Sequence, residues 1–108
     1  MPPATPATVV RASNGKLPAG LTAIFVAAKP MRMFHVGFVN VGVSGPQDVV
    51  LYLEHSGRSV LARGTLTDPG WRMQALDGEF PLAIGDRLLA ETANPNTVDY
   101  VVAGIEQL

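Results

Sequence analysis

Turn-forming residues recur every 8–14 positions along this chain, and no segment between them keeps a 3.6-residue hydrophobic period. Glycine supplies the left-handed backbone that many tight turns need, proline fixes the backbone before them, and aspartate or asparagine bonds to nearby backbone groups. The turns fall at Asn14-Gly15, Lys29-Pro30, Ser44-Gly45-Pro46, Ser56-Gly57, Asp68-Pro69-Gly70, Asp77-Gly78 and Gly85-Asp86. We therefore predict an all-β single domain, a β-sandwich or jelly-roll-like fold of about eight short antiparallel strands.

The segments between these turns have the composition of strands. Apolar and β-branched residues predict strands at 8–12, 21–28, 31–43, 48–55, 58–67 and 71–76, and a closing β-hairpin over 85–106. Alternation is clearest in 48–55, where Val49, Leu51 and Leu53 are predicted to share one face.

The strand at 31–43 carries apolar groups on both faces. Regular alternation places Met33 and Val39 on one face and Val36 and Phe38 on the other. Such a strand is either central in a sandwich or half-buried in an oligomer contact. Gly37 in its middle indicates a bulge or the close approach of another backbone.

The first residues form a separate segment in this prediction. Residues 1–8 (MPPATPAT) contain Pro2, Pro3 and Pro6, which disfavour a regular helix or a central strand, so we predict an extended arm followed by a β-sandwich at 9–108. The arm is a candidate partner-binding element because a pre-extended segment loses less entropy when it is ordered on a neighbour. It resembles no signal peptide, and no apolar run approaches the roughly 20 residues of a membrane helix, so we expect a soluble protein without membrane contact.

Composition indicates a protein that binds other proteins. Charged residues make up 16% of the chain and hydrophobic residues 47%, against a charged share of about 25% in a typical domain. We expect part of the apolar surface to contact other subunits in a homo-oligomer; the alternative is a neutral surface rich in Thr, Ala, Gly and Pro. A net charge of −1 without any basic run argues against nucleic acid.

No catalytic, cofactor-binding or metal-ligating signature stands out. There are no cysteines, which excludes disulfides and thiol catalysis. A metal site would need both histidines, His35 and His55, with carboxylates such as Glu54 or Asp48, and no ligand spacing supports one. The same carboxylates would have to serve a hydrolase, the least favoured function here. We predict a protein that is not an enzyme and has no cofactor.

Three large apolar side chains are candidates for partner binding. Trp71, after the turn at 68–70, either begins a strand as a core residue, the favoured interpretation, or is exposed as a protein or sugar contact. Met31 and Met33 either form an adaptable contact surface or pack in the core. With the arm prolines, these residues complete the predicted partner-binding set.

Three segments resemble small all-β virion proteins of tailed bacteriophages and of gene transfer agents. They are VVLYLEHSG (49–57), GDRLLAETA (85–93) and VDYVVAGIEQL (98–108), and the resemblance extends over roughly 20–108. It implies a structural role in a phage-like particle assembled in the bacterial cytoplasm, as a capsid-decoration subunit, head-spike base or tail component. The implied partners are capsid, spike or tail proteins, and no functional residue carries over. The alternative is a carbohydrate- or receptor-binding module in which Trp71 or Tyr52 stacks on a glycan.

Overall fold

The computed structural model describes residues 8–42, 45–76 and 78–107, and every regular element in them is a β-strand. The strands are β1 (Thr8–Lys16), β2 (Gly20–Val26), β3 (Met31–Asn40), β4 (Gln47–Glu54), β5 (Arg58–Leu66), β6 (Arg72–Gln74), β7 (Phe80–Leu82), β8 (Arg87–Thr92) and β9 (Val98–Gln107). The described residues include no helix of the length and hydrophobicity that a membrane span requires.

The strands form two antiparallel sheets that pack face to face. Sheet A has the order β1-β9-β3-β6, with β7 also paired to β3, and sheet B has the order β2-β8-β4-β5. The pairing is nested: β1 pairs with β9, β2 with β8, β3 with β6 and β7, and β4 with β5. Partners placed in this way on two facing sheets make a jelly roll. The predicted all-β sandwich is confirmed.

The predicted closing hairpin is wrong. Strand β8 lies in sheet B between β2 and β4, whereas β9 lies in sheet A between β1 and β3. The turn at 93–97 therefore carries the chain from one sheet to the other. Both strands are central in their sheets, and each pairs with earlier strands on both sides. Turn-forming residues end a strand equally well at a hairpin and at a corner between sheets, so local chemistry does not separate the two.

The turn predicted at Asn14-Gly15 is also wrong, because β1 continues through it. These residues pair with Val101 and Tyr100 of β9. A side chain at Gly15 would lie 3.2 Å from the Tyr100 hydroxyl oxygen, so the glycine makes room for the tyrosine ring. The chain leaves the strand after Lys16.

A β-bulge changes the predicted faces of β3. The pairing with β9 skips Phe34, between Met33 and His35. The extra residue reverses the alternation. Met33 therefore faces the core together with Val36 and Phe38, and these were predicted to lie on opposite faces. Gly37 lies beyond the bulge, and a side chain there would come within 2.9 Å of His35 Nε2.

The core lies between the two sheets and draws on both. The alternation predicted for β4 is confirmed, since Val49 and Leu51 are fully buried and Leu53 packs against the core. Leu88 and Ala90 contribute from β8, and Val98 and Val102 of β9 face them from sheet A. The two outer faces of the sandwich are left to meet solvent or partners.

Candidate interaction surfaces

The outer face of sheet A is apolar at its centre. The exposed fractions are 64% for Val10, 39% for Phe34, 45% for Val101 and 38% for Ile105. Val10 and Ile105 are direct cross-strand partners. Ala12 and Ala103 form the next outward-facing pair along the same two strands. We call these six residues the apolar face.

Charged groups lie at the margins of the apolar face and pair there. Lys16 Nζ lies 3.1 Å from Asp99 Oδ1 at one end of the sheet. Arg32 Nη1 lies 3.1 Å from Glu79 Oε2 toward the other end. An apolar centre with a polar rim is the distribution found in protein–protein interfaces.

Two shallow depressions flank the apolar face, each of about 480 Å³. The first is bordered by His35, Gly37, Arg72 and Val101. The second is bordered by a different set, Pro30, Arg32, Glu79, Pro81 and Ile105 among them. Because Val101 and Ile105 border them, a partner lying on the apolar face would also reach both depressions.

The outer face of sheet B is polar at its centre, where side chains pair with one another, and exposes Leu21 and Val60 on its two edge strands. The Tyr52 hydroxyl donates to Glu91 Oε1 at 2.9 Å, and the Arg58 guanidinium lies 5.7 Å from the centre of the Tyr52 ring. The hydrogen bond to Glu91, with burial and the negative charge of that carboxylate, raises the pKa of Tyr52. With its hydroxyl bonded and Arg58 over its ring, Tyr52 is poorly placed to stack on a sugar.

The two carboxylates considered for hydrolysis lie on this face and are far apart. Glu54 accepts a hydrogen bond from Arg87 Nε at 3.0 Å, and Asp48 accepts one from the Thr65 hydroxyl at 2.6 Å. They occupy opposite ends of β4, which at about 3.3 Å per residue separates them by roughly 20 Å. Paired carboxylates in glycoside hydrolases are about 5–9.5 Å apart, so this pair does not form such a site.

The two histidines are not brought together. His35 lies on β3 in sheet A, and His55 follows β4 in sheet B. In the described parts of the chain, no three His, Asp or Glu side chains are grouped so as to hold a metal ion.

His55 instead pairs with Asp86 at a corner between two turns. His55 Nδ1 is hydrogen-bonded to Asp86 Oδ1, and the backbone N–H of Ala83 donates to Asp86 Oδ2 at 2.9 Å. The hydrogen bond from His55 is the main cause, and that from Ala83 the second, of the lowered pKa of Asp86. The contact ties the β4–β5 turn to the β7–β8 turn. The sequence marked Asp86 only as a turn residue, because a pairing across 31 positions leaves no local pattern.

The residues predicted to bind partners are scattered. Pro2, Pro3 and Pro6 lie outside the described residues. Met31 and Met33 are 5% and 0% exposed; the interpretation as a contact surface is wrong and the core alternative is right, because both point between the sheets.

Trp71 is 53% exposed, so the prediction that it is a core residue is wrong. It follows Gly70, which has a φ of +86°. The backbone at this turn is bonded to the end of β3, since Gly70 N donates to Asn40 O at 2.7 Å and Asn40 N donates to Trp71 O at 2.9 Å. The backbone is thus fixed while the indole stands outside the core.

Sequence reasoning missed the apolar face. A signal was present, because β9 carries apolar residues at both inward positions (Val98, Val102) and outward positions (Val101, Ile105). Apolar residues on both faces of a strand indicate burial on both faces, an inference that was made for β3 and applies equally to β9.

Comparison with known proteins supports the fold. No protein-family model matches the chain, and no curated protein matches its sequence. A similar solved chain comes from a structure described in these words: 'Bacillus endospore appendages form a novel family of disulfide-linked pili'. The two chains superpose with a TM-score of 0.53 at 13% identity, over 96% of this chain and 89% of that chain. This chain has no cysteine, so the likeness is one of fold and does not extend to disulfide linkage.

Proposed function

We propose that this protein is a non-enzymatic structural subunit that assembles with copies of itself in a phage-like particle, using the apolar face of sheet A. The observation that carries the proposal is the contrast between the two outer faces. One has an apolar centre with ion pairs at its rim. The other carries hydrogen-bonded polar side chains on its two central strands, and its exposed Leu21 and Val60 are separated on opposite edge strands.

The size of sheet A suits such a contact. Four strands spaced about 4.8 Å apart and about 30 Å long present a face on the order of 550 Å². Covering it on two copies would bury roughly 1,100 Å² in total, which lies just above the lower limit of about 1,000 Å² for a specific interface. A contact of this size is weak alone and becomes stable when it is repeated around a symmetric assembly.

The choice of a phage-like particle rests on the resemblance at 49–57, 85–93 and 98–108. These segments correspond to strands β4, β8 and β9 with their adjoining turns, so the resemblance spans both sheets. Capsid decoration and a head-spike base are the favoured positions, with capsid, spike or tail proteins as partners. That a chain of the same fold comes from a pilus is in keeping with a building-block role.

Two variants, each with one exposed valine replaced by lysine on a different outer face, test this proposal. Val101 and Val60 are both valines on outer strand positions, 45% and 47% exposed, the first on sheet A and the second on sheet B. Native mass spectrometry of the unmodified chain over a range of concentrations is expected to show a discrete oligomer. Val101→Lys should weaken this association at least tenfold because it buries a charge in the contact, and Val60→Lys should leave it unchanged.

The contrary outcomes are equally clear. A chain that stays monomeric at every concentration and does not bind phage-like particles would rule out the structural role. Equal effects of the two lysines would show that the apolar face is not the contact. Circular dichroism of both variants establishes that the fold is intact before the masses are compared.

A further inference from the structure

Three of the four sheet edges carry features that hinder pairing with another strand. The edge strand β2 has a bulge at Ile24, and the edge strand β5 has one at Leu61. The far edge of sheet A is divided between β6 and β7, each of three residues, and β7 contains Pro81. Bulges, prolines and short strands are the devices that protect natural sheet edges from association.

Strand β1 has none of these features. Its nine residues pair with β9 in unbroken register from Thr8 to Lys16, and it contains no proline. Within the described residues β9 is its only sheet partner. A long, regular edge of this kind offers a row of backbone donors and acceptors to a further strand.

The two cations on β1 do not guard its edge. Arg11 Nη2 lies 3.3 Å from Glu106 Oε1, and Lys16 Nζ lies 3.1 Å from Asp99 Oδ1. Both carboxylates belong to β9, so both cations are drawn toward the interior of the sheet. Charged side chains protect an edge when they project from it, and these two are held away from it.

We propose that β1 pairs with β1 of a second copy, antiparallel and about a two-fold axis at Ala12, so that the two A sheets become one. In this register Ala12 opposes Ala12, Val10 opposes Asn14, and Arg11 opposes Ser13. Lys16 opposes Thr8, so no two like charges face each other across the new ladder. The contact is isologous, as in most symmetric dimers, and it places the two apolar faces side by side on one continuous surface.

The inference rests on the proposed function only in requiring that the chain associates with itself. The edge and the apolar face meet at β1, which carries Val10 and Ala12, whereas Val101 lies on the central strand β9, away from the free edge of β1. The Val101→Lys variant is therefore expected to lose larger assemblies and to stop at a dimer.

Single cysteines test the register, because the chain has none of its own. Opposed residues in an antiparallel pair have Cα atoms about 4.5–5.5 Å apart, within the range of about 4.4–6.8 Å that a disulfide spans. Under mild oxidation Ala12→Cys should form a covalent dimer at least tenfold faster than Ala23→Cys, a matched exposed alanine on the edge strand β2.

Mixing two variants tests the register further. Val10→Cys and Asn14→Cys should each cross-link slowly alone and rapidly when mixed, because position 10 opposes position 14 only across the two-fold axis. Native mass of the reduced proteins shows whether a dimer forms without the disulfide.

The results separate the two proposals. Suppose that the unmodified chain forms oligomers that Val101→Lys weakens, while Ala12→Cys cross-links no faster than Ala23→Cys. The edge pairing is then wrong and the structural role stands. Suppose instead that Ala12→Cys cross-links rapidly and that Val101→Lys has the same native mass as the parent. The edge pairing is then supported, and the proposal that the apolar face is the contact is overturned. If every protein is monomeric and no cysteine variant cross-links selectively, both the edge pairing and self-association through the apolar face are overturned.

Discussion

Gly104, near the end of β9, shows how one missing side chain shapes the core. A Cβ atom there would lie 2.6 Å from Met33 Sδ, 2.8 Å from Met31 Cε and 2.9 Å from the backbone oxygen of Arg32. Real Cβ atoms do not approach other atoms so closely, so the two methionines occupy the space that a side chain would need. The glycine that receives the two methionines and the bulge that lets them share the inward face with Val36 and Phe38 therefore act together in this part of the core.

We expect Gly104→Ala to lower the free energy of unfolding by about 1–3 kcal/mol, the usual cost of overpacking. The methionine tails can move, but the Arg32 carbonyl belongs to the β3 backbone, which pairs with β9 at this point. The midpoint of urea unfolding measures the change.

Gly64→Ala is the matched control. A side chain there would meet Met73, whose flexible thioether is half-buried and free to shift, so the loss should stay below about 1 kcal/mol. Similar losses at both glycines would mean that the backbone oxygen near Gly104 is not the obstacle.

Between neighbouring elements, the His55–Asp86 pair is a polar contact that joins two turns. It joins the turn after β4 to the turn before β8, and Asp86 also accepts a hydrogen bond from the Ala83 backbone. The nearby charged side chains, Glu54, Arg58 and Arg87, pair among themselves. The hydrogen bond from His55 is the main cause of the lowered pKa of Asp86, and the one from the Ala83 backbone is the second.

The lowered pKa of Asp86 makes stability depend on acidity. A carboxyl with a lower pKa in the folded state than in the unfolded state stabilises the fold above its unfolded pKa of about 3.9, and this contribution is lost as the pH falls through the folded pKa. Asp86→Asn should therefore be less stable than the parent at pH 6, and the difference should shrink as the pH falls below about 4.

Thermal unfolding at pH 6 and at pH 3 measures this difference. His55→Gln removes the main cause of the lowered pKa, and we expect it to reduce the same acid dependence. A gap between Asp86→Asn and the parent that stays constant across this range would show that Asp86 does not carry the effect.

How far the elements could be predicted depends on whether their signals are local. Strand β4 keeps an unbroken two-residue alternation, so its boundaries and its buried face follow from the sequence. The bulge at Phe34 inserts one residue that composition does not mark. The prediction that Met33 lies on the opposite face from Val36 and Phe38 was therefore wrong. The turn at 93–97 suits a hairpin and a corner between sheets equally well. The partner of a strand is decided by the fit of the whole sandwich.

The candidate surfaces were predictable to a similar degree. Low charge indicated apolar contacts, but locating them required knowing which residues of β1, β3 and β9 point outward. Of the two alternatives for Met31 and Met33, the contact surface is wrong because both side chains pack in the core. The core interpretation of Trp71 is wrong because the turn at 68–70 holds its backbone outside the core. No local sequence pattern distinguishes a buried from an exposed side chain at these three positions.

At the scale of the whole molecule, the nested pairing makes the fold depend on distant contacts. The first and last described strands are partners, with Thr8 opposite Gln107, and among the described strands only β4 and β5 pair across a short turn. Most of the chain must therefore close large loops before its strands gain their partners, which costs entropy early in folding.

We expect refolding from urea to be slow for a chain of this size, with time constants of about 10 ms to 1 s, as in other proteins dominated by non-local strand pairing. Stopped-flow circular dichroism in the far ultraviolet follows the strands directly. Complete refolding within 1 ms would mean that a local unit such as the β4–β5 hairpin carries most of the stability.

Trp71 is the only tryptophan of the chain. It is about half exposed beside the end of β3, where backbone hydrogen bonds hold it in place. Its fluorescence emission should change only modestly on unfolding, because the indole already contacts water in the folded state. A partner that covers this corner would exclude water from the indole and shift its emission to shorter wavelengths. The protein thus carries an optical label for docking at one defined corner, already built into its sequence.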